Sequence, residues 1–160
     1  MYTRFIFDLD GTVIDSAHRQ GESLADWRRL NTVSNVLRDS LLPLADKMRG
    51  AIREGREVWI CTSRVMGAAD YAFLRLNGLH PLHSPILSRN GEADARGCGE
   101  LKLAKLRGMA AGMGVNWVQF AHDSIMFDDS PDVQNTLRPA GLRVIDPVQY
   151  NFTMQQKASA

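Results

Sequence analysis

The chain has 160 residues, 44% hydrophobic and 23% charged, with 19 basic against 18 acidic side chains and a net charge of +1. That length supports one well-cored domain, and the composition excludes disordered, fibrous and collagenous classes. A near-neutral balance supplies no global field for drawing in nucleic acid or a membrane surface. Two cysteines, Cys61 and Cys98, are too few for a disulfide framework or a thiolate cluster and read as free thiols of a reducing compartment. The N-terminal residues run into an apolar strand without a signal-peptide core, and no apolar run is long enough to span a bilayer, so a cytoplasmic protein is expected.

Phe5, Ile6, Phe7 and Leu9 mark a buried strand over 4–9, closed by the turn signal Asp10-Gly11-Thr12. The polar stretch 15–35 has no clear shape, with some helical character around Trp27 to Leu37. From Asp39-Ser40 the apolar positions Leu41, Leu44, Ala45, Met48 and Ile52 predict an amphipathic helix that Gly55 stops. Val58 to Cys61 reads as a second buried strand ending in Thr62-Ser63-Arg64, followed by a helix over 67–76. A proline- and glycine-bearing stretch over 79–99 contains the short strand candidate Pro85 to Ser88. A helix over 100–113, a strand over 124–127 ending in Asp128-Asp129, a short helix over 132–137 and a last strand over 142–145 complete the pattern. Strands alternating with helices, with no polar face on the strands, predict an α/β doubly wound parallel sheet. Residues 1–150 form a single domain on this reading, and 151–160 a flexible polar tail.

In open parallel sheets ligands bind beyond the carboxyl ends of the strands. Here those ends carry Asp8, Asp10, Asp128 and Asp129 together with Gly11, Thr12, Thr62, Ser63 and Arg64. Four converging carboxylates require a cation. An all-oxygen set without histidine or cysteine suits magnesium and disfavours zinc. Asp8 and Asp10, two positions apart on an extended segment, face the same side. One can attack phosphorus while the other protonates the leaving oxygen, and Thr12 can donate to the phosphate. Arg64 reads equally well as a turn cap and as a phosphate contact. The tryptophans Trp27, Trp59 and Trp117 read as core or interface residues.

The run Phe7-Asp8-Leu9-Asp10-Gly11-Thr12-Val13 closely resembles the first motif of haloacid dehalogenase-like phosphatases. Ile60-Cys61-Thr62, Lys102 and Phe127-Asp128-Asp129 resemble the later motifs in their order. The resemblance implies that Asp8 is the nucleophile and a metal ligand. It makes Asp10 the general acid/base and a ligand through its carbonyl, Thr62 a phosphoryl contact, and Lys102 (or Lys105, one turn on) the neutralising cation. Of the acidic pair, Asp129 is expected to bind Mg2+ directly and Asp128 to support Lys102 or a metal-bound water. Gly11, Thr12, Ser63 and Arg64 are the expected substrate contacts, and residues 15–35 correspond to the flap that this superfamily carries over its site.

No separate large cap fits between the motifs, so an open site is expected. Within the superfamily the chain is similar to the phosphatase module of polynucleotide kinase/phosphatases, without the kinase phosphate loop. The expected reaction is therefore magnesium-dependent phosphomonoester hydrolysis through an aspartyl-phosphate, on a polynucleotide 3′-phosphate, with nucleic acid ends as partners and no membrane. A small-molecule phosphatase acting on a nucleotide or sugar phosphate is the first alternative. A non-catalytic module that binds phosphorylated ligands is the second.

Overall fold

The computed structural model describes residues 1–160. Strand β1 (Arg4–Phe7) lies at the centre of a parallel sheet. Next in the chain come β2 (Ile14–Asp15), a 3-10 turn at Ala17–Arg19, α1 (Leu24–Leu30), α2 (Val33–Val36), β3 (Ser40–Leu41) and α3 (Leu44–Arg53). They are followed by β4 (Glu57–Cys61), α4 (Ala68–Leu76), β5 (Ile86–Leu87), α5 (Cys98–Gly112), α6 (Trp117–His122), β6 (Ser124–Phe127), α7 (Pro131–Leu137), β7 (Arg143–Ile145) and α8 (Val148–Ala158). The five-stranded sheet has the order β5-β4-β1-β6-β7, and β2 and β3 form a separate antiparallel pair. No helix is long and apolar enough to cross a membrane.

The strands are short and apolar because both sheet faces are covered, and their period of two divides them between two cores. Phe7, Val58 and Ile60 point into one core with Met48 of α3 and Phe73 of α4. Ile6, Trp59, Cys61 and Met126 point into the other, with Leu106 of α5, Phe120 of α6 and Val133 of α7. The parallel registers Phe7↔Ile60 and Phe7↔Phe127 bring the ends of β1, β4 and β6 level. The residues after all three strands therefore emerge on one edge, where the strand order reverses around β1.

The helix expected from Ser40 begins at Leu44 instead. Ser40 and Leu41 pair with Asp15 and Ile14, and Pro43, which has no N–H to satisfy, stands just ahead of the helix. The β2–β3 pair was invisible to periodicity because two residues per strand carry no pattern. Helix α6 was also missed, although Asn116 caps it by accepting from Gln119 N–H at 2.9 Å.

The tail expected to be loose beyond Asn151 is helical. Asn151 is buried, accepts the Leu44 N–H at 2.8 Å and donates to the Thr12 carbonyl at 3.0 Å. It thus satisfies the first free N–H of α3, which Pro43 cannot cap, and pins the turn that follows β1. Everything after it is exposed. Asn151→Ala leaves two buried backbone groups without partners and should cost about 1–3 kcal/mol in urea unfolding. Removing 155–160 should change stability by no more than about 0.5 kcal/mol. An equal loss from both changes would mean that the helix, and not this one amide, anchors the segment.

Candidate active site

The turn after β1 shapes the site. N–H groups of Thr12, Val13 and Ile14 all converge on the Leu9 carbonyl, at 3.2, 3.0 and 2.9 Å, while Leu9 itself is fully buried. Asp8 and Asp10, on either side, both reach one cleft of ≈ 510 Å³. Ser63, Arg64, Lys102, Asp128 and Asp129 also line it.

Lys102 Nζ donates to Asp8 Oδ1 at 2.6 Å and to Asp128 Oδ2 at 2.7 Å. All three side chains are buried. Lys105 instead contacts Asn90 away from these carboxylates, which settles which lysine the fold delivers. The delivery depends on Gly99. A Cβ there would stand 2.3 Å from Thr136 Oγ1 and 2.8 Å from the Asp132 carbonyl, so only glycine lets α5 approach α7 this closely. Asp132 accepts the Gly99 N–H at 2.8 Å and fixes the start of α5, one turn ahead of Lys102.

Asp129 differs from Asp128. Asp128 accepts from Lys102 and from the Ser130 N–H at 3.0 Å. The Asp129 carboxylate is half-buried and has only a marginal 3.5 Å contact from Thr12 Oγ1. Carboxylate oxygens of Asp8, Asp128 and Asp129 lie within 4.8 Å of one another. One ammonium thus faces three carboxylates, and the groups register the deficit. Burial pushes Asp8 up to about 7, with Lys102 pulling it back and Asp128 and Asp10 adding to the rise. Burial and then the charge of Asp8 push Asp129 up to about 6. Burial raises Asp128 as well, against the pull of Lys102. Burial opposes the charge on Lys102, but its two carboxylates hold it well above the ordinary lysine range. An all-oxygen cluster short of positive charge, with Asp129 left unpaired, fits a hard divalent cation.

Asp10 lies in a different environment. Arg64 grips it with Nε at 2.7 Å and Nη2 at 2.6 Å, and Ser16 Oγ also donates to it. Burial would raise its pKa, but the guanidinium outweighs this and lowers it. Arg64 also binds Asp70 at 2.8 Å and approaches Asp39 at 3.5 Å. Asp39 is held in turn by Arg19 through two bonds of 2.7 Å. The Arg64 guanidinium lines the cleft while its hydrogen bonds go to carboxylates, and it positions Asp10.

Three expected contacts, Gly11, Thr12 and Thr62, are not among the residues that line the cleft. Gly11 has φ +72°, and a Cβ on it would stand 2.2 Å from Asp129 Oδ2, so its role is to let the turn pass close to that carboxylate. Thr12 is fully buried; it donates to Asp8 at 3.3 Å and accepts the Asp129 N–H at 3.2 Å, tying the two loops together. Thr62 is buried behind the cleft, where its hydroxyl accepts the Arg64 N–H at 3.2 Å. Ser63 does line the cleft, and its buried Oγ has no partner.

The outer wall comes from residues that no motif marks. Gln20, Leu24, Trp27, Arg28 and Asn31 of the segment between β2 and β3 face Met66, Arg89 and Glu92. Trp27 is therefore not a core residue, whereas Trp59 is buried in the core and Trp117 packs against it. Arg28 meets Glu92 at 3.1 Å across the outer side, so the site is partly roofed and less open than the missing large cap predicts. Only the position of this segment after the first motif hinted at the wall.

The family model for the bacteriophage T5 5′-deoxynucleotidase matches residues 1–159. The chain belongs to that family. The 5′-deoxynucleotidase of Escherichia phage T5 is 38% identical over 84 residues, covering 46% of this chain and 34% of that protein, so the match spans about a third of the relative. Among solved structures, a haloacid dehalogenase-like hydrolase from Streptococcus pneumoniae superposes with TM-score 0.64 at 11% identity, covering 89% of this chain and 83% of that one. A haloacid dehalogenase-superfamily hydrolase from Geobacter sulfurreducens gives 0.61 at 14%, covering 90% and 88%. A chain of the Pnkp1/Rnl/Hen1 RNA repair complex gives 0.61 at 20%, covering 91% and 42%. These likenesses carry the fold, which is haloacid dehalogenase-like as the motifs predicted. Phosphatases and hydrolases make up this company, the class to which the sequence reading assigned the chain.

The raised carboxylates set a pH dependence. Asp8 and Asp129 hold protons in the folded chain, at about 7 and about 6, that the unfolded chain has already released near 3.8. Stability of the metal-free protein should therefore fall as pH rises from about 4 to about 8. Asp10, shifted downward, acts only below this window. Melting curves should show magnesium flattening that slope, and Asp129→Asn should raise the metal-free melting temperature at pH 8. A metal-free melting temperature that climbs from pH 5 to pH 8 would refute the reading of a charge-deficient cluster.

Proposed function

We infer that this chain hydrolyses the phosphomonoester of a single nucleotide, with Asp8 as nucleophile. The observation that carries the reading is Lys102 bridging Asp8 and Asp128 while Asp129 stands free beside them. A carboxylate held against an ammonium, at the edge of a cleft of nucleotide size, is suited to attack phosphorus once substrate charge is balanced. The family supports a nucleotide substrate, and the Arg28–Glu92 contact across the outer wall favours a small molecule over a polynucleotide end.

An oxygen of Asp8 attacks phosphorus, and the bond from phosphorus to the nucleoside oxygen breaks. Asp10 gives its proton to that departing oxygen. Arg64 lowers the proton affinity of Asp10, so the residue rests as a carboxylate and must take up a proton from solvent before this transfer. Water then attacks phosphorus of the aspartyl-phosphate, Asp10 takes the water proton, and phosphate leaves Asp8 free. Lys102 holds Asp8 in place and balances the charge on the transferred group, and Ser63 offers an unused hydroxyl to a phosphate oxygen. Asp8, Asp129 and the Asp10 carbonyl, with Asp128 behind them, are the groups to hold Mg2+. When bound, the ion neutralises repulsion between the attacking carboxylate and the phosphate.

Turnover should require magnesium and vanish in chelator. Asp8→Asn should abolish it, because an amide does not serve as the attacking group. Asp10→Asn should lose about 10²–10⁴-fold on nucleotides and less on nitrophenyl phosphate, whose leaving group needs no proton. Full activity of Asp8→Asn, or of the wild type in chelator, would sink the mechanism.

Substrate size has its own test. A deoxynucleoside 5′-monophosphate should have a higher kcat/KM than oligonucleotides phosphorylated at either end. A preference for oligonucleotides restores the polynucleotide reading suggested by the sequence.

A further inference from the structure

The cleft has two chemically distinct halves. The inner half holds Asp8, Lys102 and the acidic pair. The other half of the lining comes from Leu24 and Trp27 of α1 and Asn31 at its end, with Val65 and Met66 of the loop after β4.

Two observations specify what the outer half would hold. The first concerns Trp27. Its ring lies 5.4 Å from the Arg19 guanidinium, and Arg19 is buried and fastened to Asp39 by two bonds of 2.7 Å. The indole is thereby set against a rigid base, while the residue still forms part of the cleft wall. A pre-set aromatic surface stacks a flat partner at little entropic cost.

The second concerns Asn31. Its Nδ2 donates to Asp70 Oδ2 at 3.2 Å. Because a carboxylate only accepts, the amide orientation is chemically fixed. That leaves Oδ1 as an acceptor, and it is buried without any partner. An unsatisfied buried acceptor is destabilising, so a ligand that brings an N–H to it recovers that cost. A flat π system with N–H donors on its edge, tethered to a phosphate, is a nucleobase.

We propose that α1 and Asn31 form a nucleobase pocket, in which Trp27 stacks the base and Asn31 Oδ1 accepts from its N–H edge. This rests on the nucleotidase reading for its substrate and adds the residues that select it. The same segment supplies Arg19 and Asp39 to the network around Asp10, so base recognition and acid/base positioning share one scaffold.

The test compares deoxyadenosine 5′-monophosphate with ribose 5-phosphate, which carries no base, in the full chain with magnesium. The wild type should favour the nucleotide. Trp27→Ala should reduce the nucleotide to ribose 5-phosphate ratio of kcat/KM by about 5–150-fold, the span of one base–aromatic stack, chiefly through KM. Trp27→Phe should recover most of it, and Asn31→Leu should lower the ratio on its own. If Trp27→Ala depresses both substrates equally, the indole merely braces the Arg19–Asp39 network and the proposal fails. Binding of deoxyadenosine, followed by calorimetry, gives a readout that needs no turnover. It should be measurable in the wild type and lost in Trp27→Ala. If no phosphomonoester is turned over, the nucleotidase reading falls, and the nucleoside measurement still decides the pocket. Absence of nucleoside binding to the wild type overturns it.

Discussion

Lys102 and Arg64 are the two buried cations on which the site depends. Lys102 lies between Asp8 and Asp128, and Arg64 between Asp10, Asp70 and Asp39. Removing either would leave several buried carboxylates uncompensated, a cost of about 3–5 kcal/mol for a single broken pair. Much of the surrounding architecture serves to bring these cations to their places. Gly99 permits the close helix approach that delivers Lys102, and the sharp turn after β4 delivers Arg64.

The two cations produce opposite outcomes on neighbouring aspartates. Asp8 shares one ammonium with other carboxylates, and burial wins, so its proton affinity rises. Asp10 takes two bonds from a guanidinium that it shares with Asp70 and Asp39, and Coulomb attraction wins over burial, so its proton affinity falls. Two carboxyl groups two residues apart thereby become chemically unlike. In the metal-free chain this division runs against their roles: Asp8 must lose its proton before it attacks, which a bound cation favours, and Asp10 must gain one before it donates.

The segment between β2 and β3 has two duties. Its buried side joins Arg19 and Asp39 to the Arg64 network, while its other side, with Trp27, Arg28 and Asn31, walls the cleft. It is too small to enclose a substrate by its own bulk. The Arg28–Glu92 pair extends its reach across the cleft, but both partners are substantially exposed, so the pair adds little stability and can open.

By itself, the sequence determined the alternation of strands and helices, the two-sided burial of the strands, and the carboxylates at the strand ends. These are written in local order: short apolar runs, helical spacing and turn residues such as Gly11. The motif order also pointed to a lysine early in α5, Lys102 or Lys105. Only the tertiary structure decided that Lys102 and not Lys105 reaches the carboxylates, because helix rotation depends on how α5 packs on α7. It alone showed that Thr12 and Gly11 shape the site from behind and that Arg64, at the cleft wall, holds carboxylates, since an arginine three residues past a strand can face a ligand or a carboxylate with equal local propensity. The tail after Asn151 and the wall at Trp27 were illegible for the same reason. Asn151 meets partners more than one hundred residues away, and Trp27 faces a loop that follows it by about forty positions. Contacts over such separations leave no trace in a local pattern, because they depend on where the sheet brings distant segments together.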